Sequence, residues 1–184
     1  MSNKISTKTK KMKRVISNGG ISLYEYTPSI TRPLYMRFEK MTFSRRIRLL
    51  LEFLHNGSYT VYYLAVDDVL VGYCVVAGGG RRLKTSVPLD IVLGPYYIDT
   101  KQRGKGYSKI LIRMVLDYRK GTYQFAYDYI DKTNLPSIKA SEACGFVKCG
   151  ELSICGFFRN LELCESGGSH NIYKYIPNID NLTV

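Results

Sequence analysis

A chain of 184 residues has the length of one domain and can bury a core without disulfide or metal support. Its 45% hydrophobic and 23% charged residues fit a soluble globular protein, and no apolar run is long enough for a helix to span a bilayer. The net charge of +12 admits nucleic acid or an acidic ligand as partner, so the placement of the charge matters more than its total.

Six of the basic residues, Lys4, Lys8, Lys10, Lys11, Lys13 and Arg14, crowd the start of the chain, and residues 1–15 read as a flexible basic tail. That stretch is polar and no apolar segment follows it, so no secretory signal is expected and the cytoplasm is the expected location. Five cysteines (Cys74, Cys144, Cys149, Cys155, Cys164) without a CxxC spacing read as reduced, buried thiols. His55 and His170 have no ligand-pair spacing, and no metal is expected.

Past the tail, Ile21 to Tyr26 predicts a short strand, and Pro33 opens an amphipathic helix, Leu34 to Leu54, closed by His55-Asn56-Gly57. Tyr59 to Ala65 and Leu70 to Ala77 are rich in β-branched and aromatic residues and flank Asp67-Asp68, which predicts a hairpin. A loop of Gly78-Gly79-Gly80 with Arg81 and Arg82 follows. Leu89 to Ile98 is then an apolar strand in which Gly94-Pro95 signals a bulge or splay. After the loop Asp99 to Arg103, apolar residues Ile110, Leu111, Met114 and Val115 recur at helical spacing within a helix from Gly104 to Arg119. Tyr123 to Ile130 predicts another strand. Asn134-Leu135-Pro136 starts a helix that Gly145 ends, Phe146 to Phe158 and Asn171 to Tyr175 are closing strands, and Asn160 to Ser169 reads as a loop. Hairpins together with a strand-helix-strand unit give a mixed α/β class.

Asp99-Thr100-Lys101-Gln102-Arg103-Gly104-Lys105-Gly106-Tyr107-Ser108 lies between a strand and a helix. Glycines let backbone approach a ligand closely, and the first turn of a helix offers N–H groups that no intrahelical carbonyl satisfies. With the helix dipole and the charges of Arg103 and Lys105, a pyrophosphate is the natural ligand, whereas Arg45, Arg46 and Arg48, and Arg81, Arg82 and Lys84, read as solvated surface.

Arg103-Gly104-Lys105-Gly106-Tyr107-Ser108 resembles the R/Q-x-x-G-x-G/A acetyl-CoA signature of the GNAT N-acetyltransferase superfamily, with Ser108 where glycine or alanine is usual. Asn134-Leu135-Pro136-Ser137-Ile138, leading to Ala143-Cys144-Gly145-Phe146, resembles the asparagine-started helix ending in Gly-Phe of the same superfamily. The resemblance spans Leu70 to Phe146. It implies one GNAT domain over 16–184, a mixed, mostly antiparallel sheet splayed between two central strands and flanked by helices, with acetyl-CoA as co-substrate. The pantetheine arm would lie in the splay against main chain of Tyr97 and Ile98. By the same resemblance Arg103, Gly104, Lys105, Gly106 and Ser108 would meet the pyrophosphate, Asn134 the arm, and Tyr107 and Ser137 would complete the site. Locally, Asn134 reads equally well as a helix N-cap.

An amine must lose its proton to attack a thioester, so a base is needed. Asp90 is the first choice, near the position where histone-type members of the superfamily carry a catalytic glutamate. Asp128 is the second, a carboxylate within the apolar and aromatic run Phe125 to Ile130, where burial would raise its pKa. Many relatives use a tyrosine to protonate the departing thiolate; Ser141 occupies the matching place, and no general acid is assigned. Leu93 to Ile98 and the Asn134 to Gly145 pattern resemble a branch found among cell-envelope polysaccharide genes, which implies an amino sugar or sugar nucleotide as the small-molecule amine acceptor. Peptide or protein N-acetylation, a non-catalytic basic nucleic-acid-binding module and a cofactor-binding sensor are the alternative readings; a homodimer is left open.

Overall fold

Two tight turns build the first half of the sheet. Strands β1 (Met12–Asn18) and β2 (Ile21–Tyr26) meet at Gly19-Gly20, whose φ angles are 54° and 80°. Strands β3 (Tyr59–Val66) and β4 (Val69–Gly78) meet at Asp67-Asp68, with φ of 47° and 59°. Two-residue hairpins need this left-handed conformation, which Asp adopts more readily than most residues. The Asp67 N–H donates to Gly20 O at 2.9 Å, joining the two hairpins at the same edge.

The computed structural model describes residues 12–29, 47, 59–79, 83, 87, 89–156 and 160–177. Apart from Ile47, the expected helix Leu34 to Leu54, its His55-Asn56-Gly57 stop and the Arg45, Arg46, Arg48 cluster lie outside the described residues. So do residues 1–11 of the tail and the loop with Gly80, Arg81, Arg82 and Lys84.

Downstream come β5 (Ile91–Ile98), α1 (Tyr107–Arg119), β6 (Ala126–Asp131), α2 (Leu135–Glu142), β7 (Val147–Cys155), β8 (Asn160–Cys164) and β9 (His170–Tyr175). The described strands form one sheet in the order β1-β2-β3-β4-β5-β6-β9-β7-β8. Every described neighbouring pair is antiparallel except β5 and β6, whose parallel pairing needs the crossover that α1 supplies. Leu111, Ile112, Val115 and Leu116 of α1 are buried in one core with Leu64, Cys74, Leu93 and Ala126 of the sheet. Burying each such aliphatic side chain stabilises by roughly 1.5–3 kcal/mol, more than the few tenths lost by placing β-branched residues in a helix. A second core gathers Tyr24, Tyr26, Tyr63 and Tyr73, and a third joins Leu83, Val92, Leu152, Leu161 and Ile172.

This is the splayed, mostly antiparallel α/β architecture expected from the sequence, with four local corrections. Met12 to Val15, read as tail, belong to β1, where Lys13 and Arg14 pair with Glu25 and Tyr24. Asn160 to Cys164, read as loop, is strand β8, paired with β7 and bridged through Leu161 to Leu83. Helix α1 begins at Tyr107 rather than Gly104, because Gly104 and Gly106 both hold positive φ, 79° and 77°, which no right-handed helix admits. The cysteines divide as well: Cys74 and Cys144 are buried, whereas Cys149 is exposed and Cys155 and Cys164 are intermediate.

Candidate active site

Strands β5 and β6 pair over three positions only, Ile91↔Ala126, Val92↔Tyr127 and Leu93↔Asp128. Beyond them the chain reaches Gly94, with φ of 109°, and Pro95, which has no N–H to continue a ladder. The β4–β5 register slips across the same place, between Cys74 and Val76. The bulge turns β5 away from β6 and opens a fork whose inner corner is the Leu93–Asp128 pair.

On the far side of the bulge β5 rejoins β4, and the Asp99 N–H donates to Val71 O at 2.8 Å. Main-chain groups alternate in direction along a strand, so those of Ile98 and Tyr96 face the fork while those of Tyr97 face β4. The expectation that both Tyr97 and Ile98 offer main chain to the gap is thus corrected to Ile98 and Tyr96. Tyr97 instead contributes its ring, stacked on Tyr73 at 6.0 Å with the Arg103 guanidinium 5.3 Å from its centroid.

The mouth of the fork is the glycine turn. Asp99 Oδ1 accepts from the Lys101 N–H at 3.0 Å and starts a 3-10 turn, Thr100–Gln102. Arg103 Nε donates to Ile98 O at 3.2 Å. Gly106 caps α1 with no side-chain hydrogen bond, and no acidic residue stands in the first helical turn. Its leading N–H groups therefore face the turn beside Arg103 and Lys105, a combination that favours an anion.

A cleft of about 370 Å³ runs from this turn into the fork. Nine of the ten expected cofactor residues line it: Tyr97, Ile98, Arg103, Gly104, Gly106, Tyr107 and Ser108 from the β5–α1 side, and Asn134 and Ser137 from α2. Lys105 stands at the rim, its Nζ donating to Gln102 Oε1 at 2.9 Å. Asn134 Oδ1 accepts from the Ser137 N–H at 3.3 Å, which is the N-cap; its amide nitrogen is the group that remains for a ligand. Tyr96, Gln102 and Pro136 also line the cleft and were not singled out from sequence. The alternation of Tyr96 with Tyr97 along β5 is the signal that one of the two had to face each side.

At the corner of the fork Asp128 is 1% exposed. Its Oδ2 accepts from Ser141 Oγ of α2 at 2.5 Å, and its Oδ1 is buried without a partner. Burial pushes its pKa up to about 7, against the opposing effect of the Ser141 hydrogen bond. The Tyr96 hydroxyl lies 3.5 Å from Ser141 Oγ and donates to Ser137 O at 3.2 Å. Asp128, Ser141 and Tyr96 thus form a continuous line from the corner into the cleft.

Asp90 stands elsewhere. It is 2% exposed, its Oδ2 accepts from the Val87 N–H at 3.0 Å and its Oδ1 from the Phe125 N–H at 3.1 Å. It precedes β5, on the opposite side of the three-position seam from the cleft. Both oxygens being committed to main chain, Asp90 clamps the entry to β5 against the entry to β6.

The sequence profile of the acetyltransferase (GNAT) family matches residues 25–146, well over half of the chain. The chain belongs to that family: it is an acyl-CoA-dependent N-acetyltransferase with acetyl-CoA as co-substrate. No curated protein matches the sequence. Among solved structures, an uncharacterized protein from Bacillus halodurans is similar at 12% identity and a TM-score of 0.61, covering 86% of each chain. Spermidine N-acetyltransferase SpeG from Vibrio cholerae is similar at 16% identity and a TM-score of 0.57, over 86% of this chain and 95% of that one. The aminoglycoside acetyltransferase AAC(6')-Ib, in complex with ribostamycin and coenzyme A, is similar at 17% identity and a TM-score of 0.56, over 76% and 75%. At these identities the likeness is one of fold.

Proposed function

We propose that this enzyme acetylates a primary amine of a small molecule by direct attack on acetyl-CoA held along the fork. The observation that carries the reading is continuity: the anion-favouring turn at Arg103 to Ser108 opens into a cleft whose wall residue Tyr96 is linked through Ser141 to a buried carboxylate, Asp128. Acetyl-CoA supplies the activated acyl group. Arg103, Lys105 and the N–H groups following Gly106 hold its pyrophosphate, with Gly104 and Gly106 giving room, and Tyr107 and Ser108 closing the turn. Ile98 and Tyr96 offer main chain to the pantetheine arm in the manner of an added strand, and Asn134 and Ser137 meet it from α2.

Asp128 is the base. With a pKa near 7 it is largely ionised just above neutrality yet basic enough to take a proton, relayed to its buried, unpartnered Oδ1 or through the Ser141 hydroxyl on Oδ2. Direct attack fits the thiols near the cleft. Cys74 is fully buried, and burial with the nearby Asp128 drives its pKa far up; Cys144 is raised by burial too, and its thiol donates to Lys109 O at 3.6 Å. Neither is poised as an acyl carrier.

For the acceptor, the sequence resemblance to a polysaccharide-gene branch and the fold likeness to an enzyme crystallised with ribostamycin support an amino sugar or its nucleotide. Peptide N-acetylation, whose sequence support was Asp90, loses that support now that both Asp90 oxygens are committed.

Calorimetric titration with acetyl-CoA tests the site. Wild type is expected to bind, and Gly106→Trp to lose binding by filling the turn. Ser108→Trp, which carries no positive-φ strain, is expected to do the same while melting close to wild type. Binding that survives both substitutions would place the cofactor elsewhere. A screen of amino-sugar nucleotides, free amino sugars and peptides then assigns the acceptor, and acetylation of peptides alone would overturn the amino-sugar reading.

A further inference from the structure

We propose that Glu151 of β7 is a positioning residue for the cofactor: it sets where Asn134 stands against the pantetheine arm, without itself lining the cleft. This rests on the placement of the arm against Asn134 proposed above. The observation behind it is a convergence of chain segments on one carboxylate. Glu151 Oε2 accepts from Lys132 Nζ at 2.6 Å and from the Gly168 N–H at 3.2 Å, and Oε1 accepts from Lys148 Nζ at 3.5 Å. Lys132 belongs to the turn between β6 and α2, Gly168 to the loop between β8 and β9, and Lys148 to β7.

The turn that contains Lys132 ends at the cleft. Asp131 Oδ1 accepts from the Thr133 N–H at 2.8 Å and from Thr133 Oγ1 at 2.6 Å, and Asp131 O accepts from the Asn134 N–H at 2.9 Å. These bonds give residues 131–134 one shape, and α2 follows at once, with Asn134, Pro136 and Ser137 lining the cleft. Farther along, α2 is held by Tyr96 at Ser137 O and by Asp128 at Ser141 Oγ. Its start is held through Lys132, whose side chain goes to Glu151 and whose N–H donates to Ser169 O at 3.4 Å.

The support behind Glu151 is firm. Strand β7 is paired on both sides there, Glu151 with Asn171 of β9 and with Cys164 of β8. Gly168 is buried so close to β7 that a Cβ would meet Leu152 O at 2.7 Å and Leu152 N at 2.9 Å, so glycine alone lets the loop reach the carboxylate. The Lys132 hydrogen bond holds the Glu151 carboxyl below its ordinary value, which keeps the pair charged at neutral pH. Side chains 36% and 20% exposed make a pair of small worth to stability. Placement is more sensitive, since a shift of about 1 Å in a positioned group can cost up to about 10²-fold.

The test sets two ligands against each other on the full chain, by calorimetry. Adenosine 3′,5′-bisphosphate, the nucleotide end of CoA, brings phosphates to the glycine turn but has no arm to meet Asn134. Glu151→Ala should raise Kd for acetyl-CoA about five- to tenfold, and leave Kd for the bisphosphate and the melting temperature close to wild type. Asn134→Ser keeps a helix cap and removes the amide nitrogen, so in that background Glu151→Ala should change acetyl-CoA affinity by about twofold or less. Equal losses for the two ligands would make Glu151 a support of the fold at large and overturn the proposal. So would an unchanged acetyl-CoA affinity, or a loss undiminished by Asn134→Ser. If the bisphosphate binds too weakly to measure, the comparison in the Asn134→Ser background decides alone. Failure of wild type to bind acetyl-CoA would instead remove the placement of the arm, and this inference with it.

Discussion

At the scale of single residues, stability and chemistry pull Asp128 in opposite directions. Its carboxyl is held protonated up to about pH 7 by burial. The stability tied to this group is therefore fully present below the unfolded carboxylate value of about 4 and is lost as pH rises through about 7. Activity runs the other way, because the base must be ionised, so kcat/KM for the amine should rise with pH and level off above about 7. Asp128→Asn removes the ionisation and keeps an acceptor for Ser141. Its melting temperature should match or exceed that of wild type at pH 8.5, while kcat falls by roughly 10²–10⁴-fold. A variant that kept both its rate and its pH profile would show that the base lies elsewhere. Sequence exposed this residue as a carboxylate in an apolar run, but ranked Asp90 ahead of it, because the two main-chain donors that engage Asp90, Val87 and Phe125, are supplied by folding. Tyr96 escaped notice because its contact with Ser141 is made only when α2 packs beside β5.

At the scale of elements, the position of β5 decides the site. Gly72 on β4 lies opposite Ile98, and a Cβ there would stand 2.5 Å from both Tyr97 O and Ile98 Cδ1. Gly72→Ala must push β5 off β4 beside the main chain proposed to meet the cofactor arm. The expected cost is about 1–3 kcal/mol, or a melting temperature lower by several degrees, together with weakened acetyl-CoA binding. Unchanged affinity would mean that this edge does not touch the cofactor. The β3–β4 hairpin, the bulge and the asparagine-capped helix were legible because turn chemistry is local, whereas the β1–β2 hairpin was hidden by the basic residues at its start. Strand β8 was not: Leu161 is buried and Leu163 is 48% exposed, and what anchors the strand is its pairing with β7 and a bridge from Leu161 to Leu83, remote in sequence.

At the scale of the molecule, a net charge of +12 faces a cofactor rich in phosphate. Acetyl-CoA affinity should fall as salt rises from 50 mM to 500 mM, and Arg103→Ala should flatten that dependence as well as weaken binding, both read by calorimetry. A salt-independent affinity would argue that the basic turn is not the pyrophosphate site. No described helix is long and apolar enough to cross a membrane. The fold class and the turn were readable from order and spacing, whereas the union of β5, β6 and α2 around one carboxylate is a property of the assembled sheet.

The three-rung seam between β5 and β6 has a mechanical side. Strands β1 to β5 and strands β6 to β9 are two half-sheets with little backbone between them, and an arm laid in the fork lengthens the seam with rungs that the polypeptide lacks. In the proposed binding mode acetyl-CoA serves as a keystone, and a cell short of it would hold a looser protein.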